Sequence, residues 1–165
     1  EEGYIYYEDK AIQEMDEEQQ RHLREEIGML FQGGALFDSM TIEENVMFPL
    51  RMFTKKKKTE MLARVNEVLA RVNLEGVNRK YPAEISGGMQ KRVSIARALV
   101  TNPDVVFADE PTGGLDNTTS LSIASILEDI VRQRGVTVIM ATHDLTLASL
   151  ADRRVDLSDG VLSEL

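Results

Sequence analysis

Two near-continuous apolar runs, Val105-Val106-Phe107-Ala108 and Val136-Thr137-Val138-Ile139-Met140-Ala141, constrain the fold more than any other feature of the chain. Both are strand-sized, and neither alternates polar with apolar residues, so both predict strands buried on two faces. Between them Ile123, Leu127, Ile130 and Val131 mark a helical stripe. Strand, helix and strand in that order is the pattern of a parallel α/β sheet. Ile27-Gly28-Met29-Leu30-Phe31 predicts a further buried strand, and Ser158-Asp159-Gly160 between Val155-Asp156-Leu157 and Val161-Leu162 predicts a hairpin.

Elsewhere the patterns are mostly helical. Tyr4 to Tyr7 reads as a short strand, and Asp16 can cap a charged helix running to about Glu26. Thr41 and Glu44 have capping-box spacing. Met61, Leu62, Val65, Val68, Leu69 and Val72 share one helical face, and a short helix is expected near Leu145 to Leu150. Pro82 breaks the chain before Ser86, a suitable N-cap, after which Met89, Val93, Ala96 and Val100 mark a buried face. The expected organisation is one domain over 1–165. Its α/β core is drawn from 1–34 and 101–165, with an inserted helical subdomain at 35–100.

Charge excludes one class of partner. Of the net charge of −9, −7 lies between Glu1 and Glu26, where ten acidic residues face three basic ones. Nucleic-acid binders need the opposite, a phosphate-neutralising basic face. Lys55-Lys56-Lys57-Lys58 is a local basic run, read as a solvated loop or a contact for anionic headgroups. The longest apolar stretches fall far short of the roughly 20 residues a membrane helix needs. The absence of cysteine fits a reducing compartment.

The chemistry-bearing residues sit where strands end or helices begin. Asp109-Glu110 closes an apolar strand, placing two carboxylates at the edge where parallel sheets bind ligands. Asp109 suits a magnesium ion held through water, and Glu110 suits the orientation or deprotonation of a water molecule. Ser86-Gly87-Gly88 opens a helix, whose N-terminus carries about half a positive charge and unpaired N–H groups that favour phosphate. Gln32 closes the strand from Ile27, and His143 follows the strand from Val136. His22, on the acidic helix, is read as solvent-facing.

In order, Gln32, Ile85-Ser86-Gly87-Gly88-Met89-Gln90-Lys91-Arg92, Val105 to Glu110, Pro111-Thr112-Gly113-Gly114-Leu115-Asp116 and Ala141-Thr142-His143-Asp144 resemble five motifs of the ATP-binding-cassette ATPases. These are the Q-loop, the signature, Walker B, the D-loop and the H-loop. The resemblance implies a P-loop-NTPase-like fold and ATP with Mg²⁺ as cofactors. It makes Glu110 the base, Asp109 and Gln32 the magnesium contacts, and Gln32 and His143 the γ-phosphate sensors. Ser86, Gly87, Gly88, Met89 and Gln90 would meet the nucleotide across a dimer, with Asp116 coupling the two sites. It also implies a second ATPase subunit, a membrane permease, a substrate-binding protein, no nucleic acid, and a place on the cytoplasmic face of the membrane. Phe31 to Phe37 with Ile42 to Val46, and Met89 after the glycines, resemble the Mla and Mkl lipid-transport branch. The segments around His143 and Gly160 fit lipoprotein-release or cell-division ATPases equally well.

No Gly-x-x-x-x-Gly-Lys-Ser/Thr occurs, and only 31 residues precede Gln32. The resemblance therefore implies that the phosphate-gripping Walker A loop and its strand are missing, leaving an N-terminally incomplete fold with a gap in the middle of the sheet. The expected consequence is a chain that is poorly stable and inactive by itself. An alternative is a non-hydrolysing module that supplies only the signature half-site to a partner. A cassette ATPase of nucleic-acid repair is a third reading, which the acidic charge disfavours.

Overall fold

The computed structural model describes residues 3–164; Glu1 and Glu2 of the acidic run lie outside them. The chain opens with a pair of two-residue antiparallel strands, β1 (Tyr6–Tyr7) and β2 (Lys10–Ala11). It continues through α1 (Glu17–Glu26), β3 (Ile27–Leu30), α2 (Ile42–Phe53), α3 (Lys58–Arg71), α4 (Gly87–Leu99) and β4 (Val105–Asp109). It closes with α5 (Asn117–Arg134), β5 (Thr137–Ala141), α6 (Leu145–Ala148), β6 (Val155–Ser158) and β7 (Val161–Glu164).

Local signals fix many of these boundaries. Asp16 accepts from the Gln19 amide at 2.9 Å while the Gln19 side chain accepts from the Asp16 N–H at 3.1 Å. Thr41 and Glu44 form the same reciprocal box at the start of α2. Behind it Asn45, wholly buried, bridges the loop: its amide donates to the carbonyls of Phe37, Met40 and Thr41, and its oxygen accepts from Phe37 N at 2.8 Å. Between β6 and β7, Asp159 and Gly160 both take positive φ, 53° and 78°, as a two-residue hairpin turn requires. The strand predicted from Tyr4 begins only at Tyr6, because its partner strand ends at Ala11, where the chain passes into a single helical turn at Ile12–Glu14.

Three parallel strands form the central sheet in the order β3-β4-β5, with Leu30 opposite Ala108 and Ala108 opposite Met140. The Gln32, Asp109 and His143 strands pair directly, so their backbone groups satisfy one another. Among the described residues β6 and β7 form a sheet of their own and do not pair with β5. Burial departs from the expectation. Leu30, Val106 and Val138 face Ile95, Leu99, Leu127 and Ile130 of α4 and α5. On the opposite face Met29, Phe107 and Ile139 lie in one row across the strands, 44%, 38% and 51% exposed. Among the described residues the apolar strands are thus covered on one face only.

α4 joins α2 and α3 to this sheet. Val46 and Leu50 of α2, Val65, Val68 and Leu69 of α3, and Val93 of α4 are buried in the same apolar cluster as Val106 and Ile123. Each such fully buried side chain contributes about 1.5–3 kcal/mol. α4 packs so closely on β3 that a Cβ added to Gly28 would lie 2.5 Å from the Ala98 carbonyl oxygen. Only a glycine strand residue permits that approach.

Candidate functional site

The register of the sheet brings the ends of β3, β4 and β5 to one edge, and the candidate residues gather there. Asp109 is the last rung of β4, opposite Ala141, and is exposed. One residue on, the Glu110 N–H donates to the Ala141 carbonyl at 2.9 Å, so the ladder persists while the chain turns. Glu110 takes a left-handed backbone, with φ of 43°. For a non-glycine residue this costs on the order of 1–3 kcal/mol and persists only when neighbours over-determine it.

Those neighbours can be named. Glu110 Oε1 accepts from the His143 N–H at 3.1 Å and lies 2.7 Å from His143 Nδ1. Glu110 Oε2 accepts from the Thr142 hydroxyl at 3.3 Å, and the Glu110 carbonyl accepts from the Gly113 N–H at 3.0 Å. The bond with the His143 ring above all, helped by the His143 main-chain N–H and charge and by the Thr142 hydroxyl, holds the Glu110 carboxyl below the usual carboxylate range, against the opposing effect of burial. A carboxylate so held is ionised at neutral pH and oriented, as a general base must be. The loop after β5 is braced in turn by Asp144. It caps α6 by accepting from Thr146 N at 2.9 Å, and it accepts from the Thr112 hydroxyl.

The loop after β3 is gripped from α4 through its main chain. Lys91, Ser94 and Arg97, spaced three apart along α4, are all buried. Lys91 Nζ donates to the Gln32 carbonyl, Ser94 Oγ to the Gly34 carbonyl, and Arg97 to the carbonyls of Gly34 and Ala35 at 2.7 Å each. Gln32 keeps its side chain exposed, and its Cγ comes close to Gly113 beside Glu110. Sequence reasoning missed this polar stripe. Its signal was there: three polar side chains at i, i+3 and i+6 of a helix whose other positions after Arg92 are apolar.

The signature residues form a separate corner. Ser86 caps α4, its hydroxyl accepting from Met89 N at 3.3 Å, and Ser86 and Gly87 remain open to solvent. Gly88 abuts α5: a Cβ there would lie 2.8 Å from Thr119 Cγ2. Thr119 is tied to Asp116, the cap of α5, by bonds of 3.0 Å to its N–H and 2.7 Å from its hydroxyl. Met89 packs on the core, and the Gln90 amide donates to the Pro82 carbonyl at 2.9 Å. The structure thus brings Gln32, Asp109, Glu110 and His143 together, joins Gly88 to Asp116, and turns Met89 and Gln90 to structural contacts. His22 meets Glu26 on its own helix, 3.1 Å away.

The strand-end set offers two exposed hard oxygen donors, the Asp109 carboxylate and the Gln32 amide. This suits Mg²⁺, which keeps several waters and takes few protein ligands. Among the described residues no group of three or more histidines and carboxylates gathers into a preformed cage. No helix among them is long and apolar enough to cross a membrane.

Comparison with known proteins agrees with this geometry. Residues 1–113 match the family model described as ABC transporter. Over 148 residues the chain is 42% identical to "Probable ribonucleotide transport ATP-binding protein mkl" of Mycobacterium tuberculosis, covering 90% of this chain and 41% of that protein. It is 40% identical over 153 residues to "Methionine import ATP-binding protein MetN 2" of Bacillus cereus, covering 93% of this chain and 45% of the relative. The chain therefore spans less than half the length of these curated relatives. Among solved structures it is similar to the dimeric ATP-binding cassette MJ0796 in a post-hydrolysis state with ADP and Pi. The TM-score is 0.85 at 34% identity, over 99% of this chain and 73% of that one. CbiO1 of Clostridium perfringens, part of the CbiONQ transporter complex, gives a TM-score of 0.84 at 32% identity, over 98% and 64%.

Proposed function

The chain belongs to the ABC transporter family, and from that premise we propose that it is the ATP-binding and ATP-hydrolysing part of a transporter, working as a dimer beneath a membrane permease. The observation that carries this reading is the Glu110 carboxylate, fixed by Thr142 and His143 at the carboxyl edge of the sheet beside Gln32. In that position Glu110 takes the proton of a water as its oxygen attacks the γ-phosphorus and the bond to the ADP oxygen breaks. Asp109 and Gln32 would hold Mg²⁺, which when bound neutralises charge on the phosphate oxygens. His143 orients Glu110. Ser86, Gly87 and Gly88 would offer the N-terminus of α4 to a nucleotide on the second subunit, with Asp116 linking the two centres through Thr119.

In the full chain assembled with its permease, Glu110→Gln is expected to lower ATP turnover by about 10²–10⁴-fold, the usual worth of a positioned base, while ATP still binds. Turnover equal to wild type would overturn the assignment.

For cargo we propose a lipid-like molecule, on the likeness of the Phe31 to Phe37 and Ile42 to Val46 segments to the lipid-transport branch. A substrate-binding protein would then deliver or receive it at the membrane, with this chain on the cytoplasmic face. The relatives are named for ribonucleotide and methionine transport, which sets the competing cargoes. ATP-driven transfer of labelled phospholipid by the reconstituted complex supports the lipid reading; uptake of ribonucleotide or methionine in its place overturns it.

A further inference from the structure

We infer that Lys91 is a positioning residue for the hydrolytic centre: its ammonium, delivered from α4, ties the main-chain carbonyl of Gln32 to that of Glu110 and so holds the carboxylate in place. The inference rests on the ATPase reading of that centre and adds a residue to it. Lys91 is only 5% exposed, although it carries a charge. Its Nζ donates both to the Gln32 carbonyl at the end of β3 and to the Glu110 carbonyl, 3.3 Å away, at the end of β4. One cation thus spans two adjacent strand ends, at the two residues to which the ATPase reading gives a magnesium contact and the base.

The backbone of Glu110 explains why such a tie matters. Its left-handed φ of 43° turns the carboxylate toward Thr142 and His143, and a residue without glycine's freedom does not stay there unaided. Its N–H is fixed by Ala141 and its carbonyl by Gly113, both within the sheet edge and its turn. Lys91 is the tether that comes from outside, from the helix that starts at Ser86. The neighbouring anchors differ. Ser94 and Arg97 hold Gly34 and Ala35, on the β3 side alone. A lysine kept only to fill space would be a poor choice, because burial disfavours its charged form and lowers its pKa; the facing carboxylates of Asp109 and Glu110 oppose that shift. Its position also links the signature corner mechanically to Gln32 and Glu110, since one turn of α4 separates Gly87 from Lys91.

The test uses the full chain with its permease and compares Lys91→Met, Lys91→Arg and Ser94→Ala with wild type. Lys91→Met is expected to lower kcat on the order of 10²-fold, as a displacement of about 1 Å at a reacting group does, with KM for MgATP unchanged. Lys91→Arg, which restores a cationic donor, is expected to recover most of kcat, and Ser94→Ala to retain it. In parallel, NMR of the Glu110 carboxyl and amide is expected to show the His143 contact weakened by Lys91→Met and kept by Lys91→Arg. Lys91→Gln replaces Lys91→Met if the latter does not fold. Unchanged kcat and unchanged Glu110 resonances in the charge-removing variant overturn the inference. So does a loss of kcat that comes with an equal rise in KM and a lowered Tm, the mark of a structural role. Wild type without turnover would defeat the ATPase reading instead, and the Glu110 resonances would still decide the tie.

Discussion

Glu110 Oε1 lies 2.7 Å from His143 Nδ1 and accepts the main-chain N–H of the same residue at 3.1 Å, so one histidine grips one carboxylate oxygen twice. The two residues are 33 apart in sequence and meet because β4 and β5 are adjacent and parallel. The ring contact is the larger cause of the lowered Glu110 pKa, with the main-chain bond next among the lowering causes. His143→Ala is therefore expected to move the Glu110 carboxyl titration upward toward the ordinary glutamate value of about 4.3. A folded pKa below the unfolded one contributes stability above about pH 4.3, and that contribution is lost as pH falls through the folded value. NMR titration of the Glu110 carboxyl in both proteins checks this; identical midpoints would refute it.

Gly28 is where β3 and α4 touch. Because an added Cβ would meet the Ala98 carbonyl oxygen at 2.5 Å, Gly28→Ala must push strand and helix apart. The expected loss is about 1–3 kcal/mol, typical of overpacking, read by urea denaturation. A stability equal to wild type would show that α4 can shift freely on the sheet.

What was legible in the sequence was local. The caps at Asp16 and Thr41, the Val65, Val68 and Val72 stripe and the Asp159–Gly160 turn each depend on residues within a few positions, and each is found. The three strand ends carrying Gln32, Asp109 and His143 were legible for the same reason, since an apolar run and the polar residues that end it are contiguous. Strand order was not, because pairing is non-local. Burial of Met29, Phe107 and Ile139 was misjudged, because an apolar strand reads alike whether one face or both are covered. Lys91 and Arg97 escaped notice because their acceptors on the Gln32–Ala35 loop lie 59 and 62 or 63 residues away.

Asn45 lies within the Ile42 to Val46 segment, and its buried amide closes the loop from Phe37 to Thr41. Asn45→Ala leaves the Phe37 N–H and several carbonyls without their partner, an expected loss of about 1–3 kcal/mol. Asn45→Asp is expected to be worse at neutral pH, since a carboxylate would face the carbonyls of Phe37, Met40 and Thr41 with no hydrogen to give. Below the carboxyl pKa the protonated aspartic acid regains a donor, so the gap between the variants should narrow in acid. Denaturation curves of both variants at pH 7 and pH 4 decide it; a gap that stays constant would mean the loop does not depend on this donor.

Gly88 and Thr119 form the joint between the signature helix and the Asp116 cap. A methyl on residue 88 would press the Thr119 methyl, 2.8 Å away, and Thr119 holds both the N–H and the hydroxyl bonds to Asp116. Gly88→Ala is therefore expected to destabilise the joint. Thr119→Ser removes the obstructing methyl but keeps the hydroxyl, so the double variant should recover most of the loss. Contacting pairs of this kind couple by about 0.5–3 kcal/mol, and a double-mutant cycle on unfolding free energy reads it directly. A coupling of zero would mean that α4 and α5 move apart without resistance, in which case Gly88 could not transmit position to Asp116. A coupling in the expected range would make the glycine a fitted contact between the two helix starts as well as an opening for phosphate.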